Sequence, residues 1–279
     1  MGEMINLCKK NNLFAIEDFS QCLNGKYKNK KVGSFGNVGV YSSSSTKTLD
    51  TYGGGLLVCD DTVLYEQLKC MQSALSAPSR LHLINKIITD LVRNSATSRL
   101  IFHFFVFPLL KIISMLSPGS VMKHTGKRSQ KMIKELPKRL FERYTSFQAQ
   151  LGLKSLNMIQ RGDLARIRNV GYLKSTLTSL SSISFPKEDS DAKNVYWQFV
   201  VFFKNPKDTQ KLMYKIGVDT STTSLELISS LNAYPYQGET PNADYLSNNG
   251  LLIPAFPGLS SKDLNCISSV LNIAVYKDA

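Results

Sequence analysis

Short apolar runs alternate with turn-rich segments over the first 58 residues of the chain. The runs cover residues 13–16, 38–41 and 56–58, and segments rich in glycine, lysine and serine separate them. Runs of this length between turn residues indicate buried β-strands. Residues 1–12 and 62–77 have helical periodicity, and Asp60 or Asp61 can cap the second helix. The pattern therefore predicts an α/β layer.

Polar side chains follow two of these predicted strands. Asp18 comes directly after the first run, and a serine-rich segment that begins at Ser42 and ends at Lys47 follows the second. Ligands of open α/β sheets bind beyond the carboxyl ends of the strands. We therefore expect a carboxylate, hydroxyls and an amine at one sheet edge. A pyridoxal phosphate site needs this set: an amine for the aldehyde, a carboxylate for the pyridine nitrogen and hydroxyls for the phosphate.

The second half of the chain has a different order of elements. Helical periodicity runs from residue 138 to about 180, a strand is predicted over 194–203, and a helix over 206–216 that ends at Gly217. Residues 219–250 are rich in loop-forming residues, 251–253 form a short strand, and Ser260 with Asp263 forms a capping box for the last helix. This order predicts a smaller α+β domain.

Residues 80–135 combine an apolar segment with a basic flank. Residues 100–110 are nearly all apolar, but Pro108 interrupts them, and no uncharged run reaches the ~20 residues of a spanning helix. Five basic residues follow: Lys123, Lys127, Arg128, Lys131 and Lys134. Such a pattern is typical of an element that lies on a membrane surface. A buried helical hairpin and a subunit contact remain open as alternatives.

Net charge and cysteine content limit the kinds of partner and site that we expect for this chain. The 279 residues carry a net charge of +13, which suits an anionic partner or a solvated basic face. Nucleic acid ranks last, because no nucleic-acid-binding motif is present and aromatic residues do not alternate with the basic ones. The five cysteines show no metal spacing, and the first residues do not form a signal peptide. We therefore expect reduced thiols, a cytoplasmic location and no metal site.

Several motifs together resemble one enzyme family. Residues 16–21 read Ile-Glu-Asp-Phe-Ser-Gln, 31–36 read Lys-Val-Gly-Ser-Phe-Gly, and Thr46-Lys47 follows Val-Tyr-Ser at 40–42. Residues 143–149, Arg-Tyr-Thr-Ser-Phe-Gln-Ala, and segments from 241 to 260 continue the likeness. In this order and spacing the motifs resemble the DegT/DnrJ/StrS sugar aminotransferases. The resemblance leaves out about residues 80–135, which look like an insertion.

The resemblance implies a role for each of five residues. Lys47 is expected to form the imine with pyridoxal phosphate and to move the substrate proton, and Asp18 to pair with the pyridine nitrogen. Gln21 is expected beside the ring hydroxyl, Ser42 at the phosphate, and Arg143 at the substrate or dimer edge. The alternatives are a solvated lysine, a helix N-cap, an exposed glutamine and a structural salt bridge of Arg143.

The resemblance also implies a fold and partners. The expected fold is part of the large domain of a pyridoxal phosphate-dependent transferase, with a mainly parallel sheet, over residues 1–79. A helical insertion over 80–135 and a small α+β domain over 136–279 follow. A nucleotide-sugar and an amino-acid donor are the expected substrates, and a homodimer the expected assembly.

One departure from the family concerns what precedes Met1. The family has an N-terminal half there, with the phosphate cradle and a stacking aromatic, so we expect the chain to bind the cofactor weakly or not at all by itself. The alternative function is a non-catalytic homologue that acts as a membrane-peripheral or oligomerisation module.

Overall fold

The computed structural model describes residues 1–116, 134–177, 182–222, 227–231 and 238–278. Two compact units interleave along the chain. The first contains residues 1–92, 135–167 and 188–197, and the second contains 93–134, 168–187 and 198–279. The predicted domain boundaries at residues 79 and 135 stay predictions. Most of the basic flank, residues 123–131, lies outside the described residues.

The first unit is built on a three-stranded sheet. Helix α1 (Gly2–Lys10) precedes strand β1 (Ile16–Asp18), as predicted. A small antiparallel sheet includes β2 (Lys26–Tyr27) and β3 (Lys30–Lys31), and the main sheet continues with β4 (Val38–Ser42) and β5 (Gly55–Val58). Strand order in the main sheet is β1-β4-β5.

The prediction of a mainly parallel sheet is wrong for the described strands. Strands β1 and β4 pair in parallel, but β4 and β5 pair antiparallel, as do all other described pairs. The segment between β4 and β5, residues 43–54, forms turns and bends and not the helix that a parallel crossover usually contains. The outer strands are also less buried than predicted, since Ile16 is 67% exposed and Leu57 54% exposed.

Three helices follow the main sheet in sequence. Helix α2 (Thr62–Ala74) begins at the predicted cap, because the Asp61 side chain accepts a hydrogen bond from the Leu64 N–H at 2.9 Å. Helix α3 spans Arg80–Ala96. Helix α4 (Arg99–Ile101) continues through a π-helical segment (Phe102–Val106) into α5 (Phe107–Leu116).

No single helix among the described residues is long and apolar enough to cross a membrane. Residues 80–96 and 99–113 meet the length and composition criteria only as a pair, with a 59° bend between them.

The predicted helix over 138–180 is interrupted. A 3₁₀ turn over Lys138–Phe141 ends before residue 142, and α6 spans Ser146–Leu177. The residues between them are extended, so that the Arg143 N–H donates to the Ser76 carbonyl at 2.8 Å. The single strand predicted over 194–203 is wrong as well. Two short strands, β7 (Ala192–Lys193) and β8 (Phe199–Phe203), belong to different sheets. Tyr196 between them has φ 50°, which a continuous strand does not allow.

The second unit contains an antiparallel sheet of order β6-β8-β10-β9. Strands β6 (Ile183–Ser184), β9 (Ser221–Thr222) and β10 (Gly250–Ile253) flank or pair with β8. Helix α7 (Pro206–Lys215) ends before Gly217, whose φ of 83° provides the predicted left-handed stop. The buried side chains of the second unit include Val201, Phe203, Met213, Leu251, Ile253, Ile267 and Leu271.

Two further helices complete the second unit. Helix α8 (Pro241–Asn249) lies in the segment predicted to be a loop, and Pro241 stands in its first turn, where a missing N–H costs nothing. Helix α9 spans Ser261–Asp278. The capping box is confirmed, because the Asp263 carboxylate accepts from the Ser260 N–H at 2.8 Å and the Ser260 hydroxyl accepts from the Asp263 N–H at 3.3 Å.

One buried tyrosine organises the core of the first unit. Tyr41 on β4 is fully buried and packs with Phe19, Leu49 and Ile159. Its hydroxyl oxygen accepts a hydrogen bond from the Leu49 N–H at 2.9 Å. The bond fixes the chain just after residues 43–47, which we call the lysine loop, because Leu49 lies two residues after Lys47.

Replacing Tyr41 by Phe should reduce the free energy of unfolding by about 1–3 kcal/mol, since the buried Leu49 N–H loses its partner. Urea unfolding followed by fluorescence measures the change. Tyr65→Phe is the matched control, because that tyrosine is 49% exposed and its hydroxyl supports no buried donor. Equal losses in the two variants would contradict the importance of this bond.

Candidate active site

The site begins where β1 and β4 end side by side. The two strands pair in parallel with Asp18 opposite Val40, so both chains leave the sheet at the same edge. Ser20 joins the two ends. Its hydroxyl donates to the Asp18 carboxylate at 2.5 Å and accepts from the Ser42 N–H at 2.9 Å. The Ser20 N–H also donates to the same carboxylate oxygen at 2.9 Å. The carboxylate is therefore held in one orientation at the sheet edge.

The loop after β4 carries hydroxyls and the candidate lysine. The Ser42 and Ser44 hydroxyls lie 3.1 Å apart, and the Lys47 N–H donates to the Ser44 carbonyl at 3.1 Å. Thr46 has φ 81°, a left-handed conformation that is uncommon for a β-branched residue. The Trp197 indole N–H donates to the Thr46 carbonyl at 2.8 Å. The indole thus stabilises the turn that presents Lys47.

The indole ring also contacts the lysine itself. The Lys47 ammonium nitrogen lies 4.0 Å from the centroid of the Trp197 ring, within the range of a cation–π interaction. Trp197 therefore binds both the backbone and the side chain of the lysine turn. Its position in sequence, 150 residues after Lys47, gave no indication of this role.

Lys47 and Asp18 are close enough to shift each other's pKa. Burial lowers the pKa of Lys47 below its ordinary value, and the Asp18 carboxylate acts in the opposite direction. The pKa of Asp18 is lowered chiefly by the two hydrogen bonds from Ser20, and Lys47 contributes in the same direction. The structure thus brings the predicted acid and the predicted amine to one place.

A glycine turn, residues 51–55, follows the lysine loop. Residues 143–149, the arginine motif, hold this turn by hydrogen bonds. The Gln148 side-chain amide donates to the carbonyls of Thr51 and Gly53 at 3.2 and 3.1 Å. The Tyr144 hydroxyl donates to the Thr51 hydroxyl at 2.6 Å. In turn, the N–H groups of Thr51 and Gly53 both donate to the Ser43 carbonyl. The motif at 143–149 therefore supports the loop through Tyr144 and Gln148.

Two predicted residues are not drawn into this network. Gln21 is exposed and lies in a turn, not one helical turn beyond Asp18 as its predicted role assumed. The Arg143 side chain is exposed, and no salt bridge to it is found within the described residues. Their proposed roles remain predictions.

The described residues offer no competing chemistry. They contain no group of three or more histidine, cysteine or acidic side chains arranged for a metal ion. All five cysteines are free thiols. The candidate site is the cluster around Asp18 and Lys47, where an acid and an amine lie at one edge of the sheet.

Comparisons with known proteins give a consistent result. A model of the DegT/DnrJ/EryC1/StrS aminotransferase family matches residues 1–81 and 111–272. The GDP-perosamine synthase of Escherichia coli O157:H7 is 24% identical over 278 residues, which are 98% of this chain and 61% of that protein.

Solved structures extend the likeness to three dimensions. A DegT DnrJ EryC1 StrS aminotransferase from Brucella abortus has a TM-score of 0.69 at 18% identity, over 98% of this chain and 60% of that one. E coli GDP-4-keto-6-deoxy-D-mannose-3-dehydratase with bound hydrated PLP has a TM-score of 0.65 at 15% identity, over 97% of this chain and 61% of that one. The predicted fold class, an α/β structure of the pyridoxal phosphate-dependent transferase type, is confirmed apart from the strand directions given above, and the chain spans about three fifths of the length of these proteins.

Replacing Asp18 by Asn should lower the pKa of Lys47 further, because the carboxylate favours the charged ammonium. Lys47 should then react with trinitrobenzene sulfonate at lower pH than in the unmodified chain. Peptide mass spectrometry across a pH series measures the midpoint of this reaction. Asp60→Asn, a change at an exposed acid after β5, should leave the midpoint unchanged. A midpoint that stays put or rises in Asp18→Asn would refute the electrostatic coupling.

Proposed function

We propose a function from one premise: this chain belongs to the DegT/DnrJ/EryC1/StrS aminotransferase family, whose model matches residues 1–81 and 111–272. The chain supplies the lysine-bearing part of a pyridoxal phosphate-dependent aminotransferase. The observation that carries the proposal is the position of Lys47 within electrostatic reach of Asp18, at the shared edge of β1 and β4.

The residues at this edge fit pyridoxal phosphate. Lys47 provides an amine whose pKa is lowered by burial, and Asp18 provides a carboxylate held by Ser20. The hydroxyls of Ser42 and Ser44 suit a phosphate group. When bound, pyridoxal phosphate supplies an aldehyde carbon and an electron-withdrawing ring. We assign Lys47 to the aldehyde, Asp18 to the pyridine nitrogen, Ser42 to the phosphate and Gln21 to the ring hydroxyl.

The side chains perform three tasks in this proposal. Lys47 is uncharged in a larger fraction of molecules than an ordinary lysine, so its nitrogen can act as nucleophile and then as proton carrier. Asp18 keeps a proton on the pyridine nitrogen, because its lowered pKa maintains it as a carboxylate. Ser20 keeps that carboxylate in place. Arg143 is assigned to the substrate or subunit edge.

The names of the relatives support a proposal for the substrate class. The GDP-perosamine synthase and the GDP-4-keto-6-deoxy-D-mannose-3-dehydratase both have a nucleotide-linked sugar in their names. We propose that the family member containing this chain transfers an amino group from an amino-acid donor to a keto group of such a sugar, in the cytoplasm. Because the chain covers 61% of the first relative, a homodimer or a further polypeptide segment is proposed to complete the site.

A second role is favoured by the helix over 99–116. Phe104 is 65% exposed, Phe105 72% and Leu116 81%. Within the second unit this helix is held by an ion pair between Arg99 and Asp263 at 3.2 Å and by Phe107, whose ring packs on Tyr214 with 5.5 Å between centroids. From these exposed side chains and the basic sequence that follows them we propose, as the alternative role, a peripheral contact with an anionic membrane.

Sodium borohydride reduction in the presence of excess pyridoxal phosphate should attach a phosphopyridoxyl group to Lys47. Reduction traps even a transient adduct, so weak binding does not prevent the test. Peptide mass spectrometry locates the label. Lys47→Ala should lose it, whereas Lys69→Ala, at an exposed lysine on α2, should keep it. Label spread over many lysines, or retained in Lys47→Ala, would argue against the aminotransferase proposal.

The paired change Phe104→Ser and Phe105→Ser should reduce flotation with anionic phosphatidylglycerol vesicles severalfold, because it removes exposed apolar surface. Sucrose-gradient flotation with phosphatidylcholine vesicles as a second series tests the charge requirement. Leu153→Ser with Met158→Ser is the matched control, since these side chains are 66% and 62% exposed on α6. Equal flotation of both pairs would discard the membrane role.

A further inference from the structure

Helix α3 contacts the lysine loop through a buried carboxylate. Asp90 is only 4% exposed, and its carboxylate accepts a hydrogen bond from the Ser45 hydroxyl. Ser45 lies two residues before Lys47, so the contact attaches the helix to the segment that presents the amine. Buried carboxylates need such partners, because an unpaired one would be strongly unfavourable. The first part of α3 therefore has a fixed position relative to the loop.

One helical turn before Asp90, the same helix directs a lysine at the glycine turn. The ammonium nitrogen of Lys86 lies only 2.2 Å from the position that a Cβ at Gly53 would take. Gly53 also has φ 117°, which disfavours any side chain there. The Lys86 ammonium thus occupies the space that a side chain at position 53 would fill.

The charge of Lys86 has no counter-ion in the described part of the chain. The side chain is half-buried, yet no carboxylate there lies within 4.0 Å of its nitrogen, and no hydrogen bond to it is formed. A half-buried ammonium without a partner favours binding of an anion. The glycine turn beside Lys86 is bonded to the serine-rich segment 42–47, because the Gly53 N–H donates to the Ser43 carbonyl at 3.2 Å.

We propose that Lys86 is an anion-binding residue of this site and takes an oxygen of a phosphate group. The inference deepens the proposed function and rests on it for the identity of the site. Two sources share this chemistry: the phosphate of pyridoxal phosphate and the diphosphate of a nucleotide-sugar. The Asp90–Ser45 bond attaches α3 to the lysine loop, and Lys86 on the same helix lies beside the glycine turn.

Lys86 lies outside the segments that match the family model. The family model matches residues 1–81 and 111–272, so Lys86 and Asp90 lie in the stretch between the matched ranges. This stretch contributes the Lys86 ammonium and the Asp90 carboxylate. Both lie against the segment between β4 and β5, which is inside the matched range. The segment that looks like an insertion in the sequence is therefore part of the site.

The test measures binding of three phosphate probes to the full 279-residue chain by isothermal titration: inorganic phosphate, pyridoxal phosphate and uridine diphosphate. Lys86→Gln should weaken at least one of them roughly tenfold, the loss expected for one charge-assisted hydrogen bond. Lys86→Arg should restore most of the affinity. Lys69→Gln removes the same charge from α2 and should have no effect. Circular dichroism verifies that each variant is folded.

The pattern of losses identifies the source. A loss for pyridoxal phosphate but not for uridine diphosphate assigns Lys86 to the cofactor phosphate, and a loss for uridine diphosphate alone assigns it to the nucleotide. Equal affinities of Lys86→Gln and the unmodified chain for all probes, or no binding by either, would overturn the proposal. Phosphate and uridine diphosphate binding do not require the Lys47 adduct, so this result is independent of the borohydride experiment.

Discussion

The parallel pairing of β1 with β4 is the constraint on which the site depends. Because both strands run in the same direction, Asp18 and Ser42 leave the sheet at one edge, and an antiparallel pair would send them to opposite edges. Ser20 then connects the two ends through its hydroxyl, which bonds both the Asp18 carboxylate and the Ser42 N–H. The distance between the acid and the start of the loop that carries the amine is thus set by backbone pairing and one serine.

Strain in the lysine loop is balanced by polar contacts. Thr46 in the left-handed region costs on the order of 1–3 kcal/mol. The indole hydrogen bond of Trp197 to its carbonyl and the bond from the Lys47 N–H to Ser44 each offset roughly 1 kcal/mol of this. Tyr52, five residues after Lys47, also has a left-handed φ, 61°, and lies in the turn held by Gln148. The strained residues therefore flank the amine, and the contacts that hold them come from distant parts of the sequence.

The difference between near and distant contacts explains what the sequence could predict. Asp18, Ser42 and Lys47 were identified because strand ends are local features, marked by apolar runs that stop at turn residues. Trp197 and Gln148 were missed as support for the loop, since they act through contacts about 95 to 150 residues away along the chain. The direction of β5 and the helix at 241–249 were mispredicted, because short apolar or proline-rich segments carry little information about pairing partners.

Polar contacts contribute more to the geometry of the candidate site because the main sheet is only partly buried. Ile16 on β1 and Leu57 on β5 remain more than half exposed, so the main sheet gains less of the ~25 cal/mol per Å² that burial provides. The loop geometry must then come from directional bonds: Ser20 at the acid, Trp197 at the amine, Asp90 at Ser45. Such bonds restrict both the distance and the angle between donor and acceptor. A site held in this way can keep its acid, amine and half-buried cation in register even where the surrounding sheet is only partly covered.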